Sequence, residues 1–68
     1  MKHIANYTLD EFKEICSSIP YYIVEIVYAY YHRDKSYTIV QFAMSKHISV
    51  ATLYRYKRRI EREFERHS

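Results

Sequence analysis

The stretch FAMSKHISVATLYRY, residues 42–56, contains two segments of helical apolar spacing separated by a short polar connection. Thr38 precedes the first segment and can cap a helix whose inward side carries Ile39, Phe42 and Ala43. Ser49 can cap a second helix, whose apolar side carries Val50, Leu53, Tyr56, Ile60 and Phe64. We predict these helices over 38–46 and 49–66. The connection, about three residues long, is too short for an antiparallel hairpin of long helices and predicts a sharp corner.

This corner must form without glycine, because the chain contains none. Tight connections between helices often need a residue with positive φ, where glycine has no steric penalty. Histidine is among the residues that tolerate this left-handed conformation. We therefore predict that His47 adopts it, at some cost in free energy.

The residues before the corner also follow helical patterns. Thr8 and Glu11 form a capping-box signature for a short first helix that ends near Ser17. Pro20 suits the first turn of a second helix, which extends to about His32 and has an apolar face made of Ile23, Ile26, Val27 and Tyr30. The sequence thus predicts an all-α fold of four helices, with a short N-terminal helix and a three-helix core.

Positive charge is concentrated in the last third of the chain. Residues 1–45 carry four Lys or Arg against five Asp or Glu, whereas residues 46–68 carry seven against three. The net charge of +3 therefore comes from the final helix and the corner before it. Such asymmetry indicates a nucleic-acid partner or an acidic protein surface.

The basic residues of the final helix share one side. At about 100° per residue, the side opposite the apolar positions carries Ala51 at its start, followed by Arg55, Arg58, Arg59, Arg62 and Arg66. A solvated helix face normally mixes charges of both signs, and this one does not. Arginine donates two hydrogen bonds from a planar fork, which matches phosphate oxygens and guanine edges. The pattern favours a surface that binds a polyanion over one that is only solvated.

These residues carry a resemblance to bacterial helix-turn-helix domains. The matching positions run from the small residue of the first helix to the arginine of the second. They are Ala43, Ile48, Ser49, Thr52, Leu53 and Arg55. The string TLYRY at 52–56 is similar to the recognition helix of DNA invertases and resolvases. The wider span 19–64 resembles sigma-factor region 4 and the small phage transcription activators related to it. His47 stands where the family has glycine, and Lys46 where an apolar residue is common.

The resemblance implies one helix-turn-helix domain over 1–68, with the unit itself at about 38–66. It also implies a set of DNA contacts. Positions that reach base edges correspond to Ser49, Val50, Ala51 and Arg55. Positions that contact phosphate correspond to Thr52, Tyr54, Arg58 and Arg59. Thr38 and Lys46, at the two ends of the preceding helix, complete the predicted DNA-binding set.

A second apolar strip lies on the second helix, offset by about 100° from the first. Its members are Val24, Tyr28 and Tyr31. One interpretation is that this strip packs against the first helix. The other is an interface with a second copy or with RNA polymerase, since tyrosine is enriched at interfaces.

Other classes of function have little support in the sequence. Cysteine and histidine lack the paired spacing of a zinc site, so no metal or cofactor is predicted. No glycine-rich phosphate loop can form and no nucleophile has an identifiable base, so we predict that the protein is not an enzyme. No stretch approaches the roughly 20 apolar residues of a membrane span and no signal peptide is evident, which predicts a cytoplasmic protein without membrane contact.

We therefore expect a sequence-specific double-stranded DNA-binding protein, a transcriptional regulator of a bacterium or phage that inserts helix 49–66 into the major groove. A domain this small offers few base contacts, so we also expect a homodimer or a contact with RNA polymerase. The alternative is a protein-interaction adaptor or phage inhibitor. Such a protein would use the same scaffold to bind an acidic protein surface.

Overall fold

The computed structural model describes residues 3–67, which form four α-helices and no strand. After a 3-10 turn at Ile4–Asn6, the helices are α1 (Leu9–Ile15), α2 (Tyr21–Tyr31), α3 (Ile39–Ser45) and α4 (Val50–His67). The all-α class predicted from the sequence is confirmed. The predicted ends of α3 and α4 each lie within one residue of the observed ends, whereas Pro20 is the N-cap of α2 rather than part of its first turn.

Hydroxyl side chains cap the helices where the sequence predicts them. Thr8 Oγ1 accepts from the Glu11 N–H at 3.2 Å, and the Glu11 carboxylate accepts from the Thr8 N–H at 2.8 Å. Thr38 and Gln41 form the same reciprocal box at the start of α3. Ser49 Oγ accepts from a backbone N–H in the first turn of α4 at 3.1 Å. Each bond satisfies a donor that a helix start leaves without an intrahelical partner.

The core has two parts, and α4 belongs to both. The first part lies between α1, α2 and the middle of α4, and consists of Phe12, Cys16, Ile19, Ile23, Val24, Val27 and Ile60. The second part lies where the C-terminal end of α2 and the start of α4 meet α3. It consists of Tyr30, Phe42, Ala43 and Leu53. Leu53 and Ile60 are both 0 % exposed. Because the core occupies one side of α4 along these two turns, the opposite side faces solvent.

The corner between α3 and α4 depends on His47, whose φ is 58°. The His47 N–H donates to the Met44 carbonyl at 3.0 Å, and the Ile48 N–H donates to the Ala43 carbonyl at 3.1 Å. This pair of bonds is the Schellman arrangement, which normally has glycine at the left-handed position. Ile48 then packs against the second part of the core. The prediction for His47 is confirmed, and the backbone bonds fix the direction in which α4 leaves.

The second apolar strip of α2 packs inside the domain. Val24 is 1 % exposed, and the rings of Tyr28 and Tyr31 lie 5.4 and 6.4 Å from the ring of Phe12 on α1. The Tyr31 hydroxyl also donates to the Glu61 carboxylate on α4. Burial, and after it this hydrogen bond, raises the pKa of Tyr31 above its ordinary value. The packing prediction is therefore confirmed for the strip, and the interface prediction is wrong for Val24, which is buried in the first part of the core.

Candidate nucleic-acid interface

The outward side of α4 brings most of the predicted base-edge and phosphate contacts together. One open groove, here called the α4 groove, is lined by Ala51, Tyr54, Arg55, Arg58, Arg59 and Arg62. All four arginines are exposed, and Tyr54 is 46 % exposed. Within residues 3–67 the two ion pairs are Lys57–Glu61 at 3.6 Å and Arg66–Glu63 at 3.2 Å, and neither includes an arginine of the groove. Four guanidinium groups are thus available to an anion.

Carboxylates of α4 lie outside the α4 groove, which keeps its electrostatic potential positive. Glu61 is engaged by Lys57 and by the Tyr31 hydroxyl, on the side of α4 that meets α2. Glu63 is half-buried and bound to Arg66. The N-terminal end of the α4 dipole lies at the Ala51 end of the groove and adds partial positive charge there. The arrangement suits a polyanion that runs along the helix.

Ala51 is the small residue at the N-terminal end of the α4 groove, and the larger side chains of Tyr54 and Arg55 follow it along the helix. It is exposed, so a flat or edge-on group can approach the helix backbone there. Arg55 lies about one turn further along the same side. These two residues therefore form the part of the groove best suited to contact a base edge.

The start of α4 is stabilised by a cap, formed by Ser49 and Thr52, and by the packing of Val50. The Ser49 hydroxyl donates to the Thr52 hydroxyl at 2.9 Å while it accepts from the Thr52 N–H. Val50 is half-buried and packs against the second part of the core. Val50 does not line the α4 groove, and its contact with a base edge stays a prediction. Ser49 and Thr52 complete the cap and lie beside the groove rather than in it.

Thr38 and Lys46 are exposed but do not line the α4 groove. The Thr38 hydroxyl is engaged in the cap of α3. The Lys46 ammonium lies 5.6 Å from the centroid of the Phe42 ring. Lys46 also borders a separate groove against α2, which includes Glu25. The structure therefore separates these two residues from the arginine cluster.

Two residues of the site were not in the predicted contact set. Arg62 lines the α4 groove, and its place in the helical charge period is the signal that reveals it. The Lys57 ammonium lies 5.6 Å from the ring centroid of Tyr54 and 5.4 Å from that of Tyr30. Lys57 thus places a positive charge beside Tyr54 at the edge of the groove. The i, i+3 spacing on α4 indicates the contact with Tyr54, whereas the contact with Tyr30 depends on how α2 packs on α4.

Within 3–67, no group of three or more His, Cys, Asp or Glu side chains is placed to hold a metal ion, and no helix is both long and apolar enough to cross a bilayer. Cys16 is 1 % exposed, and burial raises the pKa of its thiol to about 11. Comparison with known proteins found no matching family model, no similar curated protein and no similar solved structure.

Proposed function

We propose that the protein binds double-stranded DNA through the α4 groove, with α3 and α4 acting as a helix-turn-helix unit. The observation that carries the proposal is the cluster of four exposed arginines, without ion-pair partners among residues 3–67, on the outward side of one long helix. An α-helix with its side chains is about 10–12 Å wide, and the major groove is about 12 Å wide. The match in width and charge supports insertion of α4 into that groove.

The residues of the α4 groove divide between two tasks in this proposal. Ala51 allows close approach of the helix, and Arg55 reaches a base edge, where guanine offers two acceptors to a guanidinium group. Arg58, Arg59 and Arg62 continue toward the C-terminus and bind phosphates, which position the helix without distinguishing sequences. The resemblance to helix-turn-helix regulators supports a role in the control of transcription, in the cytoplasm of a bacterium or of a cell that a phage has infected.

Selection from random-sequence duplexes, followed by fluorescence anisotropy on the selected site, tests this proposal. Arg55→Ala should lower affinity for the selected site by roughly 10- to 100-fold and relax its sequence preference. Arg62→Ala should weaken binding to all duplexes to a similar extent, because it removes a phosphate contact. Lys13→Ala is the matched control: it removes the same charge from α1, where Lys13 stacks on Tyr21, and should leave affinity nearly unchanged.

An adaptor that binds an acidic protein surface is the second candidate. The exposure of Val40 and Met44 on α3, 55 % and 69 %, favours it, because such residues suit protein contacts. This candidate predicts that the selection enriches no motif and that Arg55→Ala affects duplex binding no more than Lys13→Ala. That result would reject the DNA proposal. A stoichiometric complex with an acidic protein, weakened by Val40→Glu, would then establish the adaptor.

A further inference from the structure

The N-terminal end of the α4 groove differs in chemistry from the rest of the groove. Ala51 and Tyr54 line it there, whereas the other lining residues are arginines. The two residues are three positions apart and are therefore neighbours on the helix surface. Ala51 is exposed and Tyr54 is 46 % exposed, so both offer apolar atoms to a ligand. This end is an apolar surface within a groove of positive charge.

Contacts outside the α4 groove hold the Tyr54 ring in place. The Lys57 ammonium lies 5.6 Å from the centroid of this ring, and 5.4 and 5.9 Å from the ring centroids of Tyr30 and Tyr31 on α2. The Glu61 carboxylate pairs with the same ammonium at 3.6 Å and accepts a hydrogen bond from the Tyr31 hydroxyl. The Lys57 side chain is only 21 % exposed. Because a cation attracts the face of an aromatic ring, a lysine that α2 and Glu61 hold in place restricts the rotation of the Tyr54 ring.

We propose that Ala51 and Tyr54 together bind the 5-methyl group of a thymine, with Lys57 as the residue that positions the ring. Thymine is the base of DNA that presents a methyl group in the major groove, where apolar side chains contact it. A methyl group gains free energy when it leaves water for an apolar surface, whereas a phosphate oxygen does not. Arg55 follows Tyr54 directly in the chain, so the thymine should lie beside the guanine proposed for Arg55. This inference rests on the proposed DNA binding and adds a second base to the sequence that α4 recognises.

The resemblance to helix-turn-helix domains implies a different role for Tyr54, a contact with phosphate. That contact would use the hydroxyl of the side chain, whereas the thymine methyl would contact the ring. Tyr54→Phe removes the hydroxyl and keeps the ring, and Tyr54→Ala removes both. These two substitutions therefore distinguish the two roles.

Exchange of single thymines for uracil in the selected duplex tests the inference, because uracil lacks only the methyl group. At one thymine beside the guanine, the exchange should lower the affinity of the wild-type protein about fourfold, the factor expected for burial of one methyl group. Tyr54→Phe should keep this loss, and Tyr54→Ala should bind the two duplexes equally. Tyr22→Ala is the matched control, since Tyr22 is 61 % exposed on α2 and does not line the α4 groove. It should keep the loss.

Lys57→Met tests the positioning role, because methionine keeps an apolar stem of similar length and removes the charge. It should reduce the difference between thymine and uracil and leave the salt dependence of binding unchanged, since Lys57 neutralises no phosphate in this arrangement. Arg62→Ala should show the opposite pattern, with a weaker salt dependence and an intact difference between the two bases. In a Tyr54→Ala background, Lys57→Met should cause no further loss of affinity.

The possible failures are distinct. Equal affinity of the wild-type protein for thymine and uracil at every position, with Arg55→Ala still impaired, would overturn this inference and leave the proposed DNA binding intact. Equal losses in Tyr54→Phe and Tyr54→Ala would also overturn it, in favour of a phosphate contact. A weaker salt dependence in Lys57→Met would assign Lys57 to phosphate rather than to the ring. A selection that enriches no motif would overturn both proposals.

Discussion

The two helices that meet at the corner are alike on their inward sides and opposite on their outward sides. Phe42 and Ala43 of α3 and Leu53 of α4 belong to the same part of the core. Outward, α4 presents four arginines around one groove, whereas α3 presents the apolar side chains of Val40 and Met44, which are 55 % and 69 % exposed. The comparison shows that packing determines only one side of each helix. The identity of the water-facing residues is not determined by the packing of the core.

These outward sides attract partners by different physical means. In 0.1 M salt the arginines of the α4 groove attract a polyanion over distances up to about 10 Å, and this range shortens as salt is added. Val40 and Met44 on α3 gain free energy only when water leaves their side chains, which requires direct contact with another apolar surface. One surface therefore suits rapid capture of nucleic acid, and the other suits short-range association between proteins.

Leu53→Ala should have the largest effect, because Leu53 holds the two helices together. It is 0 % exposed, and removal of a fully buried leucine side chain costs about 3 kcal/mol. In a domain of this length the thermal midpoint should fall by roughly 15 °C, measured by circular dichroism. Arg62→Ala, on the outward side of α4, is the control and should change stability by less than ~0.5 kcal/mol. Equal midpoints for the two variants would contradict the assignment of Leu53 to the core.

Salt should weaken DNA binding through the α4 groove far more than it changes the packing of the core. If four arginines of the α4 groove each neutralise one phosphate, doubling the salt concentration should lower DNA affinity about tenfold. The thermal midpoint of the protein alone should change little, because apolar contacts are not screened. Anisotropy and circular dichroism at 100 and 200 mM salt, roughly spanning the physiological range, measure the two effects. An affinity that does not fall with salt would show that the arginines do not neutralise phosphates.

A substitution at the cap of α3 should have a smaller and more local effect, which distinguishes the stability of α3 from that of α4. Thr38→Ala removes the bond to the Gln41 N–H and should cost about 1 kcal/mol, measured as a lower urea midpoint. Because α3 has only seven residues, amide exchange should accelerate along α3 more than in the middle of α4. Ser49→Ala is the matched change at α4 and should accelerate exchange in its first turn. Uniform acceleration over both helices after either change would show that they unfold as one unit.

Features that depend on neighbours in the chain could be predicted from the sequence. Thr8, Thr38 and Ser49 each bond to a residue three positions ahead, and His47 closes a turn within five residues. The arginine cluster of α4 follows in the same way from helical periodicity. Such interactions are local, so composition and spacing determine them before any tertiary packing is known.

Features that depend on packing could not be predicted. The Tyr31 hydroxyl donates to Glu61, which lies thirty positions later in the chain. Whether the apolar strip of α2 that contains Tyr31 packs inside the domain or forms an interface depends on where α1 lies. Helical spacing places Val50 on the apolar side of α4, but the extent of its burial follows from the packing of the second part of the core. In α3, helical spacing places Phe42 and Ala43 inward, but the exposed fractions of Val40 and Met44 depend on which neighbouring elements cover this helix of two turns.

The smallest predicted effect concerns the corner that relates the two helices. His47 has a φ of 58°. A residue with a side chain is destabilised by about 1 kcal/mol in this left-handed conformation. Glycine avoids this steric cost but loses more conformational entropy on folding. His47→Gly should therefore raise the free energy of unfolding by ~0.5 kcal/mol, measured by urea titration. His32→Gly is the control: His32 has a φ of −108°, so it should lower stability. A loss of stability in His47→Gly would instead mean that the histidine ring makes contacts that outweigh the backbone strain. The corner would then depend on side-chain packing as well as on its backbone bonds.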